Sequence, residues 1–411
     1  MTKAKRIKNI NNQQNMNMHR HFLFSLVLSL SLSVSAENWM SRLPDQAYAA
    51  VVSIPGSHDS ATGSGWATGS GSLGDEYART QELTLAEQWT LGIRAFDFRP
   101  CVYKDYMNLN HGIMATRIHM EDALSLLRDS LAANPSEFVV IHMLHESDGD
   151  QVDNAYNERI QQLLRDEAYS GLFVDFRKEL RVSDLRGKIL VISRDSYATT
   201  PIGAFFQNWT GEANWNKQMQ LRVVGPKSNS PAVVQDFSET WQSGAMQTKL
   251  DALTKLLDYS TQRKTTNAST IRWVFNFASA YSKVLSLFGF NISTSDGYRD
   301  NASHTNAAII EYLQTHTPGP TGIVLMDYVG VQQTGSYATR GREVVEAIIQ
   351  NNFGYLGLED GIHNLPAAAP AAQPSAPALH TLSGQPVSHP RPGTVCILTR
   401  PDGTSRKVII K

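Results

Sequence analysis

The chain has 411 residues, of which 37 are basic and 38 acidic, for a formal charge of −1. Hydrophobic residues make up 41% and charged residues 18%, which suits a large buried core and excludes both a disordered chain and a polytopic membrane protein. With no basic surplus to neutralise phosphates, nucleic acid is excluded as a partner, and only two cysteines exclude a disulfide scaffold and a four-cysteine zinc site.

Residues 1–36 read as a secretory signal peptide. Lys3, Lys5, Arg6, Lys8 and Arg20 form a basic leader, Phe22 to Val34 is an apolar run too short to span a bilayer, and Val34-Ser35-Ala36 offers small residues for cleavage before Glu37. Without those five side chains 32 basic residues face 38 acidic ones, so the mature chain has no general pull toward anionic lipid. A secreted or cell-surface protein is expected, monomeric, with no integral membrane segment after cleavage. Cys101 and Cys396 are expected as free thiols rather than one bridge.

Residues 37–363 alternate short apolar runs with amphipathic segments, the pattern of an α/β fold. Strands are expected near 50–54, 93–98, 106–110, 138–144, 188–193, 232–236, 271–276 and 322–327. Helical periodicity is clearest over 120–132, 154–165, 246–258, 305–313 and 342–350. Eight strands in this length predict an irregular (β/α)8 TIM-type barrel, irregular because the link from the second strand to the third is too short for a helix. The Gly/Ser-rich stretch Gly63 to Gly74 carries Trp66, and reads either as a rim loop touching lipid or as a loop with a partly buried tryptophan.

Chemistry-bearing residues fall at the ends of these strands. His58 and Asp59 follow the first, Asp97 and Arg99 end the second, and His111 follows the third. Glu146 follows the fourth, Arg194 the fifth, and Asp236, Asn276 and Asp327 end the last three. In a parallel barrel all these ends share the face where such folds hold their active sites. Two histidines with carboxylate partners suit a general base and a general acid, and an arginine between them suits a phosphate. A zinc site at His142 and His145 is disfavoured, since alternation along a strand puts the two on opposite faces.

The ordered set Ile54-Pro-Gly-Ser-His58-Asp59-Ser60, Gly92-Ile-Arg-Ala-Phe-Asp97-Phe-Arg99 and Asn110-His111-Gly112 resembles the catalytic X region of phosphatidylinositol-specific phospholipases C. Asn134-Pro-Ser-Glu137, Leu185 to Arg194 and Val324-Leu-Met-Asp327-Tyr328 continue the likeness, which covers about residues 40–355. The resemblance implies an irregular (β/α)8 barrel and a phosphatidylinositol diacylglycerol-lyase acting at a membrane surface, with glycosylphosphatidylinositol anchors as further substrates. It implies His58 as general base oriented by Asp327, His111 as general acid supported by Asp59 and Asp97, and Arg99 as the phosphate-stabilising group. Glu146, Arg194 and Asp236 would bind inositol hydroxyls.

No cofactor is expected. Calcium-dependent relatives carry acidic ligands where Asp97, Arg99 and Leu144 stand, and here only the first is acidic, so the resemblance implies the metal-independent, bacterial type. Bacterial relatives often have lysine at the position of Leu144 and tyrosine at that of Ser238; both inositol-facing groups are missing. The rival readings are a metal-dependent, glycerophosphodiesterase-like hydrolase, against which Arg99 speaks, and a non-catalytic lipid-headgroup-binding surface module, against which the histidine pair speaks.

Residues 364–381 read as an Ala/Pro-rich linker, extended for want of anything to pack. Residues 382–411 show two strand-like runs about a Pro-Asp-Gly turn, a small C-terminal β extension. The extension resembles the closing hairpin of type IX secretion sorting domains, and reads equally well as a surface hairpin docked on the barrel.

Overall fold

The computed structural model describes residues 36–195, 202–209, 221–263, 265–287 and 290–356, and the strand segments 378–380, 395–399 and 405–409. The signal peptide lies outside the described residues except for Ala36, as do most of the linker and the Pro-Asp-Gly turn. The chain divides into two compact units, Met1–Leu358 and Glu359–Lys411.

The first unit is built on a closed barrel. Its strands are β1 (Ile54–Ser57), β2 (Ala95–Phe98), β6 (Val139–Met143), β7 (Ile189–Ser193), β8 (Ala204–Gln207), β9 (Leu221–Val224), β10 (Asn229–Gln235), β11 (Trp273–Phe277) and β14 (Ile323–Met326). Around the barrel they run β1-β14-β11-β10-β9-β8-β7-β6-β2. All neighbours are parallel except at β9, which is antiparallel to both β8 and β10. The expected irregular α/β barrel is therefore present, with nine strands among the described residues rather than eight.

The difference has two sources. The run expected as the third strand forms β4 (Met107–His111), which lies outside the barrel in an antiparallel sheet between β3 (Pro100–Val102) and β5 (Met114–His119). In its place β8 and β9, four residues each, complete the wall; elements this short carry too little alternation to announce themselves. The first strand also shifts. Ala49–Val51 form a short 3-10 turn, and β1 is Ile-Pro-Gly-Ser, which as sequence looks like a turn. Gly56 belongs there because a Cβ would stand 2.7 Å from Leu325 and 2.9 Å from Ala95.

Helices pack their apolar stripes on the barrel. Met120–Ala133 buries Leu124, Leu127 and Leu131, the spacing that marks it in sequence. Ser295–Thr315 is longer than its periodicity suggests. Its first half buries Gly297, Tyr298, Asn301 and Ala302, small and polar groups that leave no apolar stripe to read. The Gly/Ser-rich stretch holds the helix Gly71–Tyr77. Trp66 is buried there and donates Nε1–H to Asp75, so it is a packing residue and not a lipid contact. A hairpin of β12 (Val284–Leu287) and β13 (Phe290–Ser293) leads into Ser295–Thr315.

The second unit is a three-stranded antiparallel sheet of β15 (Ala378–His380), β16 (Val395–Thr399) and β17 (Ser405–Ile409), so the expected hairpin is there. β15 falls inside the stretch read as linker: pairing of Leu379 with Leu398 overrides the Ala/Pro composition at that end.

Candidate active site at the mouth of the barrel

Register brings the first pair together. Ser57 and Met326 are partners across β1 and β14, so the next residues, His58 and Asp327, emerge side by side. His58 donates Nδ1–H to Asp327 Oδ1 at 2.8 Å, which leaves Nε2 facing the cavity. Gln81 fixes this corner by donating to the carbonyls of both His58 and Met326.

The turn after His58 puts Asp59 in the left-handed region (φ 41°) and its carboxylate between the chemistry-bearing groups. Asp59 Oδ2 lies 3.2 Å from His58 Nε2 and 3.6 Å from His111 Nε2, and Oδ1 lies 3.5 Å from Arg99 Nε. Burial disfavours the His58 cation, but the carboxylates of Asp59, Asp327 and Asp97 outweigh it and raise the pKa to about 9.

Asp97 and Arg99, two residues apart, share a face at the end of β2 and pair through two hydrogen bonds, Nε to Oδ1 at 3.0 Å and Nη2 to Oδ2 at 2.9 Å. Asp97 also accepts from the backbone N–H of Asp59 and from His142 Nδ1 at 2.6 Å. Burial alone would raise its pKa; the guanidinium of Arg99 and the ring of His142 hold it well below the usual range. His142 is the register partner of Asp97 on β6. The sequence raises it only as a disfavoured zinc ligand; its place beside Asp97 follows from the β2–β6 register. Burial lowers its pKa, against the pull of the Asp97 carboxylate. His145 points elsewhere, bonding Asp150 and stacking on Tyr156 at 3.7 Å, so the two histidines do not share a ligand sphere.

His111 reaches the mouth by another route. It is the last residue of β4, outside the barrel, so the strand-end argument does not apply to it. Its Nδ1–H donates to Ala78 O at 2.7 Å, and Nε2 lies 3.3 Å from the Tyr298 hydroxyl. Asp59 is its carboxylate partner; Asp97, also expected to support it, instead serves Arg99 and His142.

Arg194 and Asp236, from the ends of β7 and β10, approach to 3.5 Å, and Arg194 lies 4.3 Å over the ring of Trp209. Glu146 stands 3.7 Å from Arg99 Nη1, and burial raises its pKa. Asn276 does not join them: it bonds Gln235 and the carbonyl of Leu253 inside the wall. Lys249, fully buried and unremarked in the sequence, donates to Phe237 O at 2.6 Å and Ser279 O at 2.9 Å, tying together the chain beyond β10 and β11.

A cavity of about 200 Å³ is lined by His58, Asp59, Arg99, His111, Arg194, Asp236, Ser238, Tyr281 and Tyr298. Asp97 and Asp327 lie beneath it as supports. A larger surface hollow of about 500 Å³ beside Tyr48 has Arg181 as the one charged residue among its described lining. Donor atoms of His58, Asp59 and Asp97 are close enough to share a cation, but Arg99 already bridges the two carboxylates with a fixed positive charge. Two imidazoles with carboxylate partners can move protons on either side of an anionic centre while the guanidinium stabilises its charge.

No family model matches the chain. A curated relative from Listeria monocytogenes named 1-phosphatidylinositol phosphodiesterase is 29% identical over 221 residues, 53% of this chain and 66% of that protein. A relative of the same name from Staphylococcus aureus strain Newman is 26% identical over 330 residues, 77% of this chain and 95% of that protein. Among solved structures, a double mutant of the phosphatidylinositol-specific phospholipase C from Staphylococcus aureus superposes with a TM-score of 0.60 at 22% identity, covering 77% of this chain and 98% of that one. The Listeria monocytogenes enzyme gives 0.56 at 22% identity, covering 77% and 99%. These structures share the fold.

Proposed function

We propose, on the premise that this chain is a relative of the bacterial phosphatidylinositol-specific phospholipases C, that it is a phosphorus-oxygen lyase cleaving phosphatidylinositol to inositol 1,2-cyclic phosphate and diacylglycerol. His58, oriented by Asp327, takes the proton of the inositol 2-hydroxyl through Nε2, and that oxygen attacks phosphorus. His111 Nε2 gives a proton to the diacylglycerol oxygen as its bond to phosphorus breaks. Arg99, held by Asp97 and Asp59, faces the phosphate oxygens and stabilises their charge in the transition state. Because the nucleophile is a neighbouring hydroxyl of the substrate, no protein nucleophile is needed.

Arg194, Asp236 and Glu146 are assigned to the inositol hydroxyls, the first two from the cavity wall and Glu146 from beside Arg99. Leu144 and Ser238, where relatives often carry lysine and tyrosine, leave the acid–base core whole. The reaction is read as metal-independent, because the Arg99 guanidinium stands where a cation would bridge Asp59 and Asp97. Residues 37–363 are assigned to the catalytic barrel, secreted behind the 1–36 leader and working as a monomer on membrane surfaces. Segments 364–381 and 382–411 are read as linker and β tail.

The observation that carries this reading is Asp59 lying between His58 and His111 with Arg99 at its other oxygen. Diacylglycerol release from phosphatidylinositol vesicles in EDTA tests it: activity should persist, and full dependence on added calcium would overturn the metal-free chemistry.

A further inference from the structure

Tyr298 has no part in the reaction as set out above. It sits in the first turns of the helix Ser295–Thr315, is 4% exposed, packs against Ala302 and Tyr328, and shows one edge to the cavity. Its hydroxyl donates to Ser293 Oγ at 3.0 Å and stands 3.3 Å from His111 Nε2. A phenol has one proton; with it committed to Ser293, the lone pairs face the imidazole. On the far side of the ring, Ala78 O can only accept, so Nδ1 of His111 carries a proton. Both neighbours are acceptors, so in the acid form each ring N–H has a partner: Nδ1–H on Ala78 and Nε2–H on Tyr298. Asp59 pulls in the same direction at 3.6 Å, but its oxygen is shared with His58.

We propose that Tyr298 is a positioning residue for the general acid: its hydroxyl accepts the Nε2 proton of His111 and keeps that proton aimed into the cavity until the leaving oxygen takes it. The inference rests on the reading of His111 as the acid. When the phosphorus–oxygen bond breaks, its electron pair on the leaving oxygen takes the Nε2 proton, and the neutral ring keeps its Nδ1 proton on Ala78. Burial pushes the ionisation of the phenol upward, so it stays neutral throughout.

Leaving-group dependence tests this. Tyr298→Phe keeps the buried ring and removes only the hydroxyl. Turnover is compared on phosphatidylinositol, whose alkoxide must be protonated to leave, and on an inositol phosphate 4-nitrophenyl ester, whose leaving group needs no proton. The expected kcat loss is about tenfold on phosphatidylinositol, the scale of a hydrogen bond to a charged group, with less than about a twofold change on the aryl ester. Ser293→Ala, which frees the phenol proton to point back at His111, should show the same selective loss. Equal losses on both substrates would make Tyr298 merely structural, and no loss on either would remove it from the reaction; both overturn the proposal. Wild-type protein inert on both substrates would instead overturn the functional reading, and this inference with it.

Discussion

His58 and His111 face each other across Asp59, with ring centroids 6.5 Å apart, planes at 77°, and a single carboxylate oxygen 3.2 Å from the first and 3.6 Å from the second. What divides the roles proposed for them is the partner on the outer nitrogen. His58 has a second carboxylate, Asp327, which suits a ring that must take on a proton and become positive. His111 has a neutral carbonyl, Ala78, which fixes the ring without competing for the charge it gives up.

Each imidazole is therefore expected to be indispensable. His58→Ala and His111→Ala should each lower kcat on phosphatidylinositol by at least about 10²-fold, the usual scale for removing a general acid or base. Near-normal turnover in either variant, measured as diacylglycerol release, removes that residue from its role.

The rate should depend on pH in a defined direction. His58 can act as a base only when neutral, and its pKa is raised to about 9, so kcat/KM should climb as pH rises toward about 9. Asp327→Asn removes one of the carboxylates that hold the proton, so the climb should move to lower pH as overall activity falls. The same shift affects stability. A histidine whose folded pKa exceeds its unfolded value of about 6.5 stabilises the fold below that value, and the contribution fades as pH rises from about 6.5 to about 9. A flat kcat/KM profile from pH 6 to 9 contradicts the assignment.

Arg99 is held in two-pronged contact with Asp97, a geometry that lysine cannot copy. Arg99→Lys should cost about 10²-fold or more in kcat with a smaller effect on KM, because the loss falls on charge developed in the transition state. Added calcium or zinc should not restore it.

His142 acts from below. Replacing it with Phe leaves Asp97 without its 2.6 Å donor while Arg99 still grips it. The fold should lose about 1–3 kcal/mol, the cost of an unmet buried hydrogen bond, as read from urea denaturation.

The hairpin that carries His111 also carries Ile113, two residues on and 69% exposed. Its place on that hairpin makes it the side chain with which to test lipid contact there. Ile113→Asp should lower activity on vesicles by about tenfold and leave a soluble aryl ester substrate unaffected. Equal rates on vesicles would separate this residue from membrane contact.

The legible parts of this molecule are those where one local rule decides. Strands that emerge parallel from a barrel must end on one face, so His58, Asp59, Asp97, Arg99, Arg194, Asp236 and Asp327 could be grouped from their spacing alone. His111 joined that group through a strand that is present but not in the barrel: β4 lies outside it, and a hairpin, not the parallel rule, delivers the ring. The pairing of His142 with Asp97 and the approach of Tyr298 to His111 are not legible because each depends on a non-local match, one on the β2–β6 register and the other on where the helix Ser295–Thr315 packs. Lys249 escaped for a related reason: an ammonium group buried among main-chain carbonyls leaves no trace in periodicity.

Phosphorus NMR of the products formed from phosphatidylinositol vesicles in EDTA tests the central claim most directly. Attack by the 2-hydroxyl between His58 and His111 predicts a five-membered cyclic phosphate diester as the first product, formed without metal. A phosphomonoester appearing from the outset, or no product until calcium is supplied, would contradict it.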